Sequence, residues 1–147
     1  MEVLSGIIQR CTTSYMPQRN REMSDSRLYQ FREEAEGWKR TLEFIIHENV
    51  FLKNRISEAL KSNLASEFLD QADFFQNLLV KRDDAIRLLR HEVAEQGELL
   101  GKNPLDDGTA FSHLARKQKK IRSQVTGLAD NFIQLRKTFN DFITEKT

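Results

Sequence analysis

Residues 28–59 read LYQFREEAEGWKRTLEFIIHENVFLKNRISEA, and this stretch decides the fold. Leu28, Phe31, Ala35, Trp38, Leu42, Ile45, Asn49, Leu52, Ile56 and Ala59 step alternately by three and four, which places them all on one seam of a helix. Asn49 alone among them is polar. A stripe this narrow stabilises a helix only when another helix covers it. The chain, or a partner, must supply that cover.

Two further stretches can. Phe68, Ala72, Phe75, Leu79, Arg82, Ile86, Leu89, Val93, Gln96 and Leu100 make a second seam, which Phe74, Leu78, Ala85, Leu88 and Leu99 widen to one side. A wider apolar face implies more than one helical neighbour. The third seam is Phe111, Leu114, Gln118, Ile121, Val125, Leu128, Phe132, Leu135, Phe139 and Phe142. Turn and capping residues separate the three: Ser62, Asn63 and Ser66 in the first gap, then Gly101, Asn103, Pro104, Asp106, Asp107, Gly108 and Thr109 in the second. Helices are predicted over about 24–61, 66–101 and 109–146. The expected fold is all-α, an elongated antiparallel three-helix coiled-coil bundle running up, down and up, with its domain over 24–147. An open hairpin whose third helix completes a neighbour's bundle satisfies the same seams.

Residues 1–23 differ in character. Val3, Leu4, Ile7 and Ile8 could line one face of a short amphipathic helix, but the polar stretch from Cys11 to Arg21 has no period and contains Pro17. A flexible arm is expected, with Ser24 and Asp25 capping the first long helix. Met23, just ahead of that cap, is read as an alternative natural start.

Composition agrees with a helical protein: 39% of the 147 residues are hydrophobic, 31% are charged, and only two are proline. The net charge of +1 marks neither a general nucleic-acid binder nor an acidic tail. The distribution says more, since 66–101 carries four basic and eight acidic residues against eight basic and three acidic over 109–146. Those helices should attract each other. Cys11 is the only cysteine, which excludes an internal disulfide and fits a reducing, cytoplasmic setting. No apolar run reaches the ~18 residues of a membrane span, and MEVLSGII is too short and acidic for a secretory signal.

Motifs for chemistry are missing. The chain has no Gly-rich phosphate loop, nucleophile elbow, Glu-x-x-His or His-Glu-x-x-His. His47, His91 and His113 fall on outward positions in different layers, as does Glu43, four residues from His47. The adjacent acids Glu33 with Glu34, and Asp83 with Asp84, cannot converge on one substrate atom and read as solvation. No catalytic residue, metal site, cofactor or small-molecule substrate is expected.

Polar seam positions are read as register-setting: Asn49, Arg82, Gln96 and Gln118. Folding the first two helices about Asn63 puts residue n opposite roughly 128 minus n, to within about a turn. Arg82 then faces Ile46 and can pair with Glu48 at the rim.

Two surface features could bind something. Phe44, Val50 and Phe51 lie off the first seam, either flanking the third helix, covered by the arm, or forming a patch for self-association or a partner. Arg116, Lys117, Lys119, Lys120 and Arg122 could contact anions, but they circle the helix, lack interleaved aromatics and should lie beside Glu92, Glu95 and Glu98. The reading that results is a non-enzymatic coiled-coil interaction or scaffold module that binds a protein partner or itself. The alternative is nucleic-acid or anionic-surface binding through the basic run.

Overall fold

The computed structural model describes residues 18–102 and 108–146, with side chains over 25–102 and 108–145. Three helices form a bundle: α1 (Gln18–Ser62), α2 (Ser66–Gly101) and α3 (Gly108–Lys146). No strand occurs among the described residues, and no described helix is long and apolar enough to cross a membrane.

α1 begins earlier than its capping residues suggested. Gln18 to Met23 are already helical, so Ser24 and Asp25 lie inside α1 instead of capping it. Gln, Arg, Glu and Met are good helix formers and extend the element at little cost. Val3, Leu4, Ile7 and Ile8 lie outside the described residues.

The first reversal uses the chemistry expected of it. The Ser62 hydroxyl and the Asn63 amide both donate to the Ala59 carbonyl, at 3.3 and 3.1 Å, and so occupy a carbonyl that the helix end would leave bare. The Ala65 amide then donates to Asn63 Oδ1 at 3.1 Å, a side-chain turn that leads into α2.

Burial follows the seams. All ten α1 seam residues are buried, Asn49 included. In α2 and α3 only Arg82 and Leu128 are half-buried among the seam positions. Ile143 is buried beside Phe142 although it lies one residue past the seam. A strict 3.5-residue repeat drifts against a helix of 3.6 residues per turn, which changes the buried position at an element's end.

The wider face expected of α2 is not used. Phe74, Ala85, Leu88 and Leu99 are exposed and Leu78 is half-buried. In a three-helix bundle one seam touches both neighbours, so α2 reaches two helices without a broader stripe.

The chain separates into two compact units. One joins the described residues up to Trp38 with Glu92–Arg122. In it Phe31 stacks on Phe111 at 6.1 Å, and Arg32 donates from Nε and Nη2 to the Leu100 carbonyl at 3.2 and 2.7 Å. The other joins Lys39–His91 with the residues from Ser123 onward. Its core holds a cluster of rings: Phe68 on Phe142 at 5.1 Å, Phe75 on Phe142 at 4.9 Å, and Phe75 edge-on to Phe139 at 5.4 Å. Such pairs add about 0.5–1.5 kcal/mol each beyond the area they bury.

Candidate interaction surface

The polar seam residues fall in two separate constellations. In the first unit Gln96 Nε2 donates to the Leu114 carbonyl and to Gln118 Oε1, both at 3.0 Å. Gln118 Nε2 donates in turn to the Phe31 carbonyl at 3.1 Å and to Glu34 Oε1 at 2.9 Å. Arg122 completes the chain by donating to both oxygens of Glu34, from Nη2 at 2.8 Å and from Nε. One hydrogen-bonded line thus joins α2, α3 and α1. The Arg122 hydrogen bond holds the Glu34 carboxyl below its ordinary pKa against the opposing effect of burial, with Gln118 and the Arg122 charge adding to it. The same bond raises the Arg122 guanidinium.

In the second unit Asn49 Nδ2 donates to Asp83 Oδ1 at 3.1 Å, and Lys53 pairs with Asp83 Oδ2. Asn49 Oδ1 is buried without a hydrogen-bond partner, as is Gln96 Oε1 in the first unit. Each such orphan costs about 1–3 kcal/mol. A polar residue that sets register would carry such a cost in exchange for rejecting other alignments.

Arg82 does not pair with Glu48. Its Nη1 makes a long 3.4 Å hydrogen bond to the Leu128 carbonyl, while Glu48 accepts from Arg136 at 3.3 Å. Burial lowers the Arg82 pKa, and the group stays charged at neutral pH. The cause of the missed pairing is register. Asn49 meets Asp83 where folding about Asn63 would have put residue 79, a shift of about one turn that centres the reversal near Ser66.

The acidic pairs read as solvation are split by the fold. Glu34 and Asp83 turn inward to Gln118 and Asn49, while Asp84 stays at the surface with Arg87 at 2.8 Å. Glu34 and Asp83 each adjoin a seam residue, Ala35 and Arg82. That flanking position is the signal the sequence offered.

The off-seam apolar residues of α1 do not share one side. Phe44, 54% exposed, lies edge-on to Phe132 of α3 at 6.3 Å. Phe51, 55% exposed, has Arg55 over its ring at 5.9 Å; the same guanidinium lies 5.6 Å from Phe139 and donates to Asn140 at 2.7 Å. Arg136 covers Phe132 at 5.7 Å. Val50, 50% exposed, borders α2 instead, in a shallow groove with Ile46, Asp83, Ile86, Arg87 and Arg90. Phe44 and Phe51 therefore form an α1–α3 edge, and Val50 belongs to an α1–α2 edge.

In the basic run Arg122 is held by Glu34 of α1, not by the acids of α2. Arg116, Lys119 and Lys120 are exposed and Lys117 is half-buried. His47, His91 and His113 are all exposed, His47 lying 3.8 Å from Glu43. No group of His, Cys, Asp and Glu able to hold a metal ion occurs among the described residues. Comparison with known protein families, curated proteins and solved structures finds no match for this chain.

Proposed function

We propose that the chain is a non-enzymatic, cytoplasmic protein-interaction module, an up-down-up coiled-coil bundle that docks a helix of a partner, or of a second copy, along the α1–α3 edge. The observation that carries this reading is the presentation of Phe44 and Phe51. Both rings are about half exposed, stand seven residues apart, and are fixed by contact with Phe132 and with Arg55. Two aromatic anchors at heptad spacing suit the apolar face of an incoming helix, whose partners would insert at matching intervals. Polar groups around them, Glu48 with Arg136 and Arg55 with Asn140, would select the partner.

The up-down-up reading draws support from pair order in the second unit. From Glu43–Arg90 to Asn49–Asp83 the α2 numbers fall as the α1 numbers rise. From Phe44–Phe132 to Arg55–Asn140 the α1 and α3 numbers rise together.

A photo-crosslinking amino acid at position 51, compared with one at position 120, tests the docking edge alongside sedimentation velocity. Expected are crosslinked species enriched at position 51 and, for self-association, a mass above the 17.2 kDa monomer that Phe51→Glu returns to one chain. Equal crosslinking at both positions, with a monomer at every concentration, would remove the reading.

A further inference from the structure

The phenylalanines of this chain are repeatedly covered by arginine. Arg27 lies over Phe31 and Phe111 at 5.5 and 5.2 Å, Arg55 over Phe51 and Phe139, and Arg136 over Phe132. Among the described residues, no arginine or lysine lies over Phe74, Phe75 or Phe142. Between the first turns of α2 and the last turns of α3 lies an open groove of about 480 Å³ floored by Phe74, Phe75 and Phe142. Phe74 is 59% exposed, and among the described residues neither lysine nor arginine lines the groove.

The charged side chains described along its walls are all acidic. Asp70, Asp141 and Glu145 line it, and none of their carboxylates has an ion pair or hydrogen bond among the described residues. Gln71 lines it too, and its Oε1 is buried without a donor. Asp141 and Glu145 both lie on α3, four residues apart and so on one face of it. Carboxylates and aromatic faces favour the same kind of guest. It must be positively charged, rich in N–H donors and partly apolar.

A metal ion does not meet these terms, because no acids among the described residues are gathered closely enough to ligate one. A guanidinium does. It is planar enough to lie on Phe74, carries five donors for the carboxylates, and brings an apolar stem for the floor. We infer that this groove is a docking site for an arginine side chain presented by a separate partner protein, with Phe74 as its platform and Asp70, Asp141 and Glu145 as its counter-charges. The site shares no residue with the α1–α3 edge, so either can fail without the other.

The test is fluorescence anisotropy with the full chain and a fluorescein-labelled peptide carrying one arginine between two leucines, beside the same peptide with citrulline, which keeps size and removes charge. The arginine peptide should bind about tenfold more tightly, the size expected for losing one charge-assisted hydrogen bond. Asp141→Asn and Phe74→Ala, both at exposed positions, should each weaken it about three- to tenfold with an unchanged circular-dichroism melt. Phe51→Glu should leave it untouched. Equal affinity for both peptides, or affinity lost on Phe51→Glu but kept in Asp141→Asn and Phe74→Ala, would overturn the proposal. So would a dimer of the chain that Asp141→Asn dissociates, since the occupant would then be a second copy.

Discussion

The two compact units of this chain use the same heptad geometry with opposite chemistry. The unit containing Trp38 places Gln96 and Gln118 in its seam and links them to Glu34, Arg122 and two backbone carbonyls, leaving only Gln96 Oε1 without a donor. The unit containing Phe75 fills equivalent seam positions with Phe68, Phe75, Phe139 and Phe142, and admits one buried amide, Asn49. Rings stack in many ways at similar energy, whereas a glutamine with four hydrogen-bonding valences tolerates few neighbours. The contrast teaches that hydrogen-bonded amides and stacked rings can dominate the seam in different stretches of the same helices.

The largest expected effect breaks the ring cluster. Phe75→Ala should cost about 3–5 kcal/mol and lower the melting temperature by about 10 °C, as read by urea denaturation and calorimetry. Next comes the polar line. Gln118→Ala leaves Gln96 and Glu34 each short of a partner and should cost about 2 kcal/mol, yet Gln96→Leu with Gln118→Leu should stay within about 1 kcal/mol of the parent. If the double variant lost as much as the single, the glutamines would be adhesive after all. Asn49→Leu should gain about 1 kcal/mol by removing a buried orphan oxygen while giving mixed assemblies in light scattering; a gain with unchanged assembly would deny Asn49 its aligning role.

Glu34→Gln should have the smallest effect, under about 1 kcal/mol because the ion pair with Arg122 is partly exposed. Its pH dependence is the sharper readout. The folded pKa lies below the ordinary value of 4.5, so the stabilisation is present above that pH and is lost as the pH falls through the folded value. Denaturation midpoints of parent and variant should therefore differ near neutrality and converge in acid. A gap constant with pH would assign the effect to packing.

How far the sequence could be read depended on the range of the interaction. Burial of Leu28 through Ala59 followed from spacing alone, because a heptad fixes which side of a helix is covered. Partner identity did not follow, since it depends on where the chain reverses. A shift of about one turn gave Glu48 to Arg136 and left Arg82 with a carbonyl. Glu34 and Asp83 looked like surface acids because each sits beside an acid that stays outside; only the facing helix shows that Gln118 and Asn49 recruit them. The groove at Phe74 was hidden for the same reason, being assembled from the start of α2 and the end of α3. Phe44 and Phe51 could be picked out as off-seam apolar residues, but their separation from Val50 needed the positions of both neighbouring helices.

Trp38 is the only indole in the chain and is buried in the glutamine-bearing unit. Its emission is thus a built-in optical label for that half of the molecule, while the phenylalanine-rich half contributes almost no signal at the same wavelength. Fluorescence and far-ultraviolet dichroism recorded in one heating scan would report two different things, and any temperature offset between the curves would measure how independently the halves melt.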